Sequence, residues 1–405
     1  MTLRVLELSF MYPSPRHPNS GVFIEQSVRE IARRVVVEVV SPVPWVPPPL
    51  AGLAPRWRAY RSQPRETWCH GVRVHHPRYV QPLGRWSIPL AGVTMAAGVR
   101  ALATRIAAGG VDVIHAHQLL PDGLAGLLLG RWLRRPVVCT LHGSDVTELP
   151  FHGPAALAAA RGVARGVQAF TAASANLVEA LARVAADHAP ASVVPYGVDL
   201  ERFAAHDRLA ARGRLGIPGR EPVVLYAGLL IARKGVDVLL DAFARVAREV
   251  PGVRLLLVGG SGERDDRRAD LVRRVAALGC TGRVVFLGRR PHHEMPLWLS
   301  AADVFAFPSR LEGSPNVVRE AVACGTPVVV TALPGIADVV GPDSGLVVPI
   351  DDPDALAGAL VEALGRRWDR AAIRRRATAW RWDANAEATL EVLVAASGAA
   401  ARRVA

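Results

Sequence analysis

Residues 303–330 read DVFAFPSRLEGSPNVVREAVACGTPVVV, which is an apolar run, a polar turn, a helical pattern and a second apolar run. The two apolar runs are nearly free of polar residues, which is typical of parallel strands buried on both faces. Between them, Ser314 predicts a helix cap with Pro315 at the first helical position, and Gly325 predicts the end of the helix. A strand, a helix and a strand in this order predict a parallel crossover unit.

The same alternation runs through the rest of the chain and predicts an α/β protein with doubly wound parallel sheets. Strands are predicted at 3–9, 35–41, 111–115, 136–141, 167–172, 222–227, 253–258, 283–287, 303–306, 326–330 and 345–348. Helices are predicted at 22–34, 235–250, 264–278, 316–324 and 353–364.

A stretch rich in proline and glycine, residues 186–221, separates two strand–helix series and predicts two sheets in two domains. We place the first Rossmann-like domain at 1–196 and the second at 197–378, followed by a helical tail at 379–405. Residues 42–66 are interpreted as a long loop rich in proline, arginine and aromatic residues, and loops of this length are commonly functional.

The composition excludes several classes of protein. The chain has 405 residues, of which 50% are hydrophobic and 21% charged, so it is not disordered. Its four cysteines form no CxxC pair, which favours a reducing cytosol over a disulfide scaffold. The uncharged stretches 39–55 and 321–337 contain too many prolines and glycines to form membrane-spanning helices.

The net charge is +13, divided as +8 in residues 1–200 and +5 in residues 201–405. Such a balance suits an anionic membrane surface or a phosphorylated ligand, and a solvated arginine-rich surface is the alternative. Because nearly all basic residues are arginines, the charge is weak evidence for nucleic acid, which we do not expect as a partner.

Lys234 is the only lysine of the chain. It lies in YAGLLIARKGVDVLLDAFARV, residues 226–246, directly after a predicted strand. Parallel sheets bind ligands at the carboxyl ends of their strands, and a diphosphate leaving group needs positive charge there. Lys234 and Arg233 are therefore candidate phosphate ligands, and Gly228 and Gly235 would allow close backbone approach.

Two glutamates surround the predicted helix start at 314–316. Glu312 precedes it and Glu320 lies about one and a half turns inside the helix. The amides of a helix N-terminus bind anions and hydroxyls, whereas a carboxylate repels phosphate, so we expect both glutamates to accept hydrogen bonds from sugar hydroxyls. The alternative is that Glu320 is an ordinary exposed residue of the helix.

Two weaker motifs lie in the first domain. In TLHGSDVT, residues 140–147, His142 follows a predicted strand and could donate to a hydroxyl or a carbonyl, or could be structural. Gly21 opens a predicted helix, where backbone N–H groups could approach a phosphate.

Together, EGSPNVVRE, RKG, HGSD, VVPYGVDLERF and VFAFPS resemble the family 4 retaining glycosyltransferases of bacterial polysaccharide and glycolipid synthesis. The resemblance covers nearly the whole chain. It implies the GT-B fold, with two Rossmann-like domains facing across a cleft and a closing helix near 380–383 that crosses back to the first domain.

The resemblance also implies roles for individual residues. Glu312 would contact the donor sugar, Glu320 the nucleotide ribose, Lys234 the diphosphate and His142 the sugar's 6-position. Gly21 would lie near the phosphates. The remaining donor-binding candidates are Gly228, Arg233, Gly313, Ser314, Pro315, Asn316 and Val317.

The chain departs from the family pattern at three positions. Leu229 stands after Gly228 where the family has an arginine, Ser20 precedes Gly21 where a glycine pair is usual, and Asp338 stands where glutamate is commoner. Because this arginine is missing, a protein that binds a nucleotide sugar without catalysing transfer is an alternative to the transferase. A sugar-nucleotide epimerase or hydrolase is a third possible function.

No metal is expected. His115 and His117 lie on one strand face without a clear third ligand, and Asp352-Pro353-Asp354 is interpreted as a helix start rather than a metal motif. The resemblance implies a UDP- or GDP-linked sugar donor and a lipid-linked or saccharide acceptor. The segment 42–66 could contact an anionic bilayer, which would place the protein in the cytoplasm at the inner face of the membrane.

Overall fold

A computed structural model of the chain describes residues 2–15, 17–18, 20–50, 52, 55–81, 87–260 and 266–398. Backbone contacts divide it into two compact units. The first comprises residues 1–197 and 382–405, and the second comprises residues 198–381. The first unit passes into the second between residues 197 and 198, one residue after the predicted domain boundary at 196/197.

The first unit is built on an eight-stranded sheet with helices on its faces. Its elements are β1 (Arg4–Leu8), α1 (Val22–Ala32), β2 (Val36–Val40), β3 (Val43–Pro44), α2 (Pro55–Ser62), β4 (Glu66–Cys69), β5 (Val72–His75), β6 (Arg78–Tyr79), α3 (Ile88–Ala108), β7 (Val113–His117), α4 (Leu124–Leu133), β8 (Val137–Leu141), α5 (Ser144–Thr147), α6 (Pro154–Gly166), β9 (Ala169–Ala172), α7 (Ala175–Val184) and β10 (Ala191–Val193). The strand order is β10-β9-β8-β7-β1-β2-β5-β4, and β3 pairs separately with β6. All pairs are parallel except β4 with β5.

The second unit is a six-stranded parallel sheet. Its elements are α8 (Arg208–Leu215), β11 (Val223–Ala227), α9 (Val236–Glu249), β12 (Arg254–Val258), α10 (Arg268–Ala277), β13 (Val284–Gly288), α11 (Met295–Ala301), β14 (Val304–Phe307), α12 (Asn316–Ala323), β15 (Val328–Thr331), β16 (Gly345–Val348), α13 (Pro353–Gly365) and α14 (Arg370–Arg376). The strand order β13-β12-β11-β14-β15-β16 is the 3-2-1-4-5-6 arrangement of Rossmann-like sheets.

The last helix, α15 (Trp382–Ser397), belongs to the first unit. It packs against α1, and the Ser27 hydroxyl donates to the Asn385 side-chain oxygen at 2.8 Å. The Asn385 amide in turn donates to the Pro195 carbonyl at 2.8 Å. The chain therefore returns to its first sheet after completing the second one.

The strands predicted from apolar runs are confirmed, because residues such as those of β7, β8 and β11 are buried along their whole length. The prediction of one long loop at 42–66 is wrong. That segment contains β3, α2 and the start of β4, and only part of it lies among the described residues. These short elements carry mixed polar and apolar residues and lack the continuous apolar run on which the other strands were predicted.

The strands β4 and β5 form a hairpin that the sequence analysis missed. Its two-residue turn is His70 and Gly71, with φ of 47° and 79°. Positive φ at both positions gives the turn the twist that antiparallel strands need, and histidine adopts it less readily than glycine.

One helix of the described residues is long and apolar enough to cross a membrane by length and composition alone, namely α3 with 21 residues. In this structure α3 packs along α4 and against β6. At Gly98 a Cβ would lie 2.5 Å from the Arg78 carbonyl oxygen, so the helix approaches β6 closely. Core helices of soluble proteins meet the same criterion, so the length and composition of α3 do not show that it crosses a membrane.

Candidate functional site

The second sheet has a topological switch point between β11 and β14, where successive crossovers leave in opposite directions. Open α/β sheets bind ligands in the crevice at the carboxyl ends of the strands on either side of such a point. Here these ends continue into the loops 228–235 and 308–315. Both loops carry residues predicted from the sequence to bind the donor.

The two loops are in close contact. Gly235 has φ of 63°, and a Cβ there would lie 2.0 Å from the Pro308 carbonyl oxygen. The Arg310 N–H donates to the Arg233 carbonyl at 2.9 Å. The close backbone approach predicted at Gly235 is therefore an approach to the neighbouring loop.

Lys234 and Glu312 meet where these loops converge, although 78 residues separate them in sequence. The Lys234 ammonium donates to Glu312 Oε1 at 2.5 Å, and the Ser309 hydroxyl donates to the same oxygen at 2.5 Å. The Lys234 side chain is 16% exposed and the Glu312 side chain is 10% exposed. A half-buried cation and carboxylate at the end of two parallel strands can bind an anion and a hydroxyl side by side.

Arg233 lies beside this pair. One of its guanidinium nitrogens is 3.5 Å from the Leu311 carbonyl oxygen, so its side chain extends along the loop 308–315. Leu229, at the position where an arginine was expected, is 38% exposed, and its carbonyl accepts a hydrogen bond from the Tyr226 hydroxyl at 2.7 Å. The structure therefore brings Arg233 as well as Lys234 to this edge of the sheet.

The predicted helix start at Ser314 and Pro315 needs a correction. The helix α12 begins at Asn316, and Pro315, with ψ of 73°, occupies the cap position. No side-chain hydrogen bond caps α12 at this position, and the Ser314 hydroxyl accepts a hydrogen bond from the Arg319 guanidinium at 2.7 Å. The Asn316 N–H donates to the Ser314 carbonyl at 3.0 Å.

Glu320 on α12 contacts a histidine from the segment between β13 and α11. His292 Nε2 lies 2.9 Å from Glu320 Oε1, and the carboxylate side chain is 16% exposed. The His292 ring packs edge-on against Phe203 with centroids 5.3 Å apart. The alternative that Glu320 is an ordinary exposed helix residue is therefore wrong.

The remaining donor-site candidates include Gly228, Gly313 and Val317. The Gly228 N–H donates to the Val258 carbonyl at 2.9 Å, and a Cβ at Gly259 would lie 1.7 Å from the Gly228 carbonyl oxygen. Val317 packs on the apolar core of the second unit, and Gly313 is partly buried.

The first sheet has its own switch point between β1 and β7. Gly21 precedes α1 with φ of 53°, and a Cβ there would lie 2.3 Å from the Met11 carbonyl oxygen. Only glycine suits this position, because the backbone packs directly on the loop after β1.

A cluster of buried polar side chains lies at the carboxyl end of the first sheet. Glu7 on β1 receives hydrogen bonds from two histidines of β7, from His115 Nδ1 at 2.9 Å and His117 Nε2 at 2.8 Å. All three side chains are at most 2% exposed. The registry pairs Glu7 with His115, so the three residues share one face of the sheet.

His142 joins this cluster from the loop after β8. Its Nε2 lies 3.2 Å from His117 Nδ1, and its Nδ1 contacts the Tyr196 hydroxyl. The rings of His117 and His142 are stacked with centroids 5.3 Å apart. Both ring nitrogens of His142 are thus engaged within the first unit.

Charge and burial set the protonation of the cluster. Burial alone would raise the pKa of Glu7, but His115 and His117 outweigh it and lower that pKa to about 2. Burial lowers the pKa of His117 to about 4, with the positive potential of His115 adding to it. Burial and the neighbouring histidines also lower the pKa of His142 well below its usual value. At neutral pH Glu7 is ionised, and His117 and His142 are neutral.

A small cavity adjoins His142. Its volume of about 10 Å³ is close to the smallest that holds one water molecule. It is lined by Phe23, Ser27, His117, Tyr196, Asn385 and other residues of the first unit. Because Asn385 lies on α15, the returning helix forms one wall of this cavity.

Models of two families match the chain. "Glycosyltransferase Family 4" matches residues 20–202, and "Glycosyl transferases group 1" matches residues 221–366. D-inositol 3-phosphate glycosyltransferase of Xylanimonas cellulosilytica is 34% identical over 348 residues, covering 81% of this chain and 82% of that protein. The chain belongs to the family 4 glycosyltransferases.

The putative teichuronic acid biosynthesis glycosyltransferase TuaC of Bacillus subtilis is 29% identical to this glycosyltransferase over 363 residues, or 88% of each chain. Family membership supports a transferase over the silent binding protein and the epimerase or hydrolase.

Solved structures show the same GT-B fold. Sucrose-phosphate synthase from Thermosynechococcus elongatus superposes with a TM-score of 0.79 at 23% identity, covering 96% of this chain and 98% of that one. The structure of Anabaena Alr3699/HepE in complex with UDP and glucose superposes with a TM-score of 0.73 at 21% identity. The match covers 97% of this chain and 100% of that one. The predicted fold class is thus confirmed.

Sequence reasoning missed several polar residues of the glycosyltransferase. The sequence analysis identified neither His292 nor Ser309 as a candidate. Glu7 was assigned only to a strand, yet it is the third member of the group that His115 and His117 lacked. A charged residue inside an apolar strand was the signal available for Glu7, because such residues are rarely buried without partners.

Glu7, His115 and His117 each offer a ligand atom within 4.8 Å of the others, as do Glu25, Cys69 and His70. In the first group every offered atom already takes part in a hydrogen bond of the cluster. In the Asp352-Pro353-Asp354 motif, Asp352 caps α13 by accepting from the Ala355 N–H at 2.9 Å, as the sequence predicted.

Proposed function

We propose that this glycosyltransferase moves a sugar from a nucleoside diphosphate sugar, UDP- or GDP-linked, to a lipid-linked or saccharide acceptor, with retention and without a metal. The observation that carries the proposal is the contact of Lys234 with Glu312 at the switch point of the second sheet. The Lys234 ammonium at the switch point can stabilise a departing diphosphate, as a bound metal ion does in metal-dependent enzymes.

We propose a donor site with the roles that the family resemblance assigns. Lys234 and Arg233 bind the diphosphate, Glu312 and the amides of 313–317 bind the sugar hydroxyls, and Glu320 accepts from the ribose. For the first unit, the family resemblance assigns Gly21 to the phosphates and His142 to the 6-position of the sugar.

The proposed chemistry is attack from the face that the leaving group occupies. The bond from the anomeric carbon to the phosphate oxygen breaks, and a bond to the acceptor oxygen forms. The departing phosphate takes the acceptor proton. Lys234 stabilises the charge that develops on that phosphate, and this interaction is strongest in the transition state.

Three similar proteins support parts of the proposal. The structure of Alr3699/HepE with UDP and glucose favours a UDP-linked donor. The names of the sequence relatives refer to teichuronic acid and to an inositol phosphate, which favours a hydroxyl-rich acceptor made in cell-envelope or polysaccharide synthesis.

The donor is tested by the melting temperature of the purified protein in EDTA with UDP- and GDP-sugars. A ligand at 100 times its Kd stabilises by about 2.7 kcal/mol, so one nucleotide sugar should raise the melting temperature measurably. Replacing Glu320 with alanine should remove most of this shift, because a ribose contact contributes to ground-state binding.

Glu362, exposed on α13, provides the matched control. The shift should survive Glu362→Ala unchanged. A shift that requires added Mg²⁺ would contradict metal-independent binding, and an equal shift in Glu320→Ala would contradict the ribose contact.

We also propose that the segment 42–66 contacts an anionic membrane on the cytoplasmic side. Trp45 is 52% exposed, and Arg58 and Arg61 on α2 are exposed. Aromatic and arginine side chains together suit the membrane interface. The side chain of Arg56, predicted with them, lies outside the described part of the chain.

Removing the charges of Arg58 and Arg61 by alanine substitution should weaken co-flotation with vesicles containing phosphatidylglycerol. The matched control is the pair Arg131 and Arg134 at the end of α4, which is also exposed. Weaker flotation of the control pair alone would place the contact elsewhere and overturn the assignment to 42–66.

A further inference from the structure

A continuous chain of hydrogen bonds links buried Glu7 to Tyr196. The Glu7 carboxylate contacts His117 Nε2 at 2.8 Å, and His117 Nδ1 lies 3.2 Å from His142 Nε2. The Nδ1 of His142 contacts the Tyr196 hydroxyl. Each histidine therefore uses both of its ring nitrogens.

The chemistry of the first member fixes the direction of every bond in the chain. An ionised carboxylate only accepts, so His117 Nε2 carries the proton that it shares with Glu7. A neutral imidazole has one N–H and one acceptor nitrogen, so His117 Nδ1 accepts from His142 Nε2. His142 Nδ1 is then an acceptor, and the Tyr196 hydroxyl donates to it.

The second branch from Glu7 leaves this direction unchanged. His115 donates from Nδ1 to the carboxylate, and its Nε2 contacts the Thr140 hydroxyl at 2.6 Å, which contacts the Thr171 hydroxyl at 2.6 Å. The Thr140 hydroxyl can either donate to Nε2 or accept from it. In both cases His117 faces an ionised Glu7.

We propose that Glu7 is a positioning residue that acts through His117 to keep the proton of His142 on Nε2, which makes His142 Nδ1 a hydrogen-bond acceptor. A substrate group that takes the place of the Tyr196 hydroxyl must then be a donor. His142 would select a hydroxyl group and disfavour a carbonyl or phosphate oxygen. This last step rests on the proposed position of His142 near the donor sugar.

The proton positions are measured directly by long-range ¹H–¹⁵N correlation spectra of protein labelled with ¹⁵N in its histidine side chains. The signals of His117 and His142 are identified by their loss in His117→Gln and His142→Gln. At pH 7 both residues should show a protonated Nε2 and a bare Nδ1. In Glu7→Gln, whose amide can donate as well as accept, the Nδ1-protonated form of His142 should become populated.

Thr171→Val is the matched control, because Thr171 is equally buried and lies on the other branch. It should leave the proton positions of His117 and His142 unchanged. The wild-type spectrum alone can overturn the proposal, by showing the His142 proton on Nδ1 or on both nitrogens. Unchanged proton positions in a folded Glu7→Gln would overturn it as well.

A bound metal would also overturn the proposal, since Glu7, His115 and His117 would then be ligands rather than a hydrogen-bonded chain. Its signature is stoichiometric zinc in the purified protein, measured by plasma mass spectrometry, that is lost in Glu7→Gln. These measurements use no nucleotide sugar, so their outcome is independent of whether the proposed donor is correct.

Discussion

Replacing Lys234 with methionine should lower kcat/KM for sugar transfer by about 10²–10³-fold, or about 2.7–4 kcal/mol of barrier. Methionine keeps most of the side-chain length and removes the charge. The ammonium lies 2.5 Å from Glu312 Oε1 and 5.5 Å from the Phe307 ring centre, and methionine would supply no charge at this position. The measurement is steady-state transfer with the donor identified by melting shift.

The loss must be separated from damage to the fold, because Lys234→Met leaves a half-buried carboxylate without its cation. The double variant Lys234→Met with Glu312→Gln removes both charges. It should recover the melting temperature that the single variant loses, while transfer stays low. Full activity in the single variant would refute the role of Lys234 in stabilising the leaving group.

Replacing Gly235 with alanine should destabilise the protein and disrupt transfer together. A left-handed conformation costs a non-glycine residue about 1–2 kcal/mol. The added Cβ would also meet the Pro308 carbonyl oxygen at 2.0 Å, and overpacking of this kind costs about 1–3 kcal/mol more. The displaced loop carries Lys234, so donor binding should fall as well.

Gly216 offers a matched control within the same unit. Its φ of 66° is nearly that of Gly235, and nothing lies within 4 Å of its Cβ position. Gly216→Ala should therefore show only the conformational cost in urea unfolding and should keep its activity. Equal loss of stability in the two variants would show that the contact with Pro308 is unimportant.

The fold was accessible from sequence because its main signal is local. Uninterrupted apolar runs such as PVVCTL and PVVLYA identify strands buried on both faces wherever they occur. Strands without that signal were missed. The segment ETWC of β4 alternates between exposed and partly buried positions at the sheet edge, so its pairing with β5 depends on a turn rather than on burial.

The sequence by itself determined the two parallel sheets, the single lysine after β11 and the two glutamates around α12. The tertiary structure decided which of these groups meet. Lys234 reaches Glu312 across 78 residues because β11 and β14 are neighbours in the sheet, and Glu320 finds His292 on another element. Glu7 meets His115 across 108 residues because their strands pair in one register. Strand order and register depend on packing between distant segments, so no local pattern contains them.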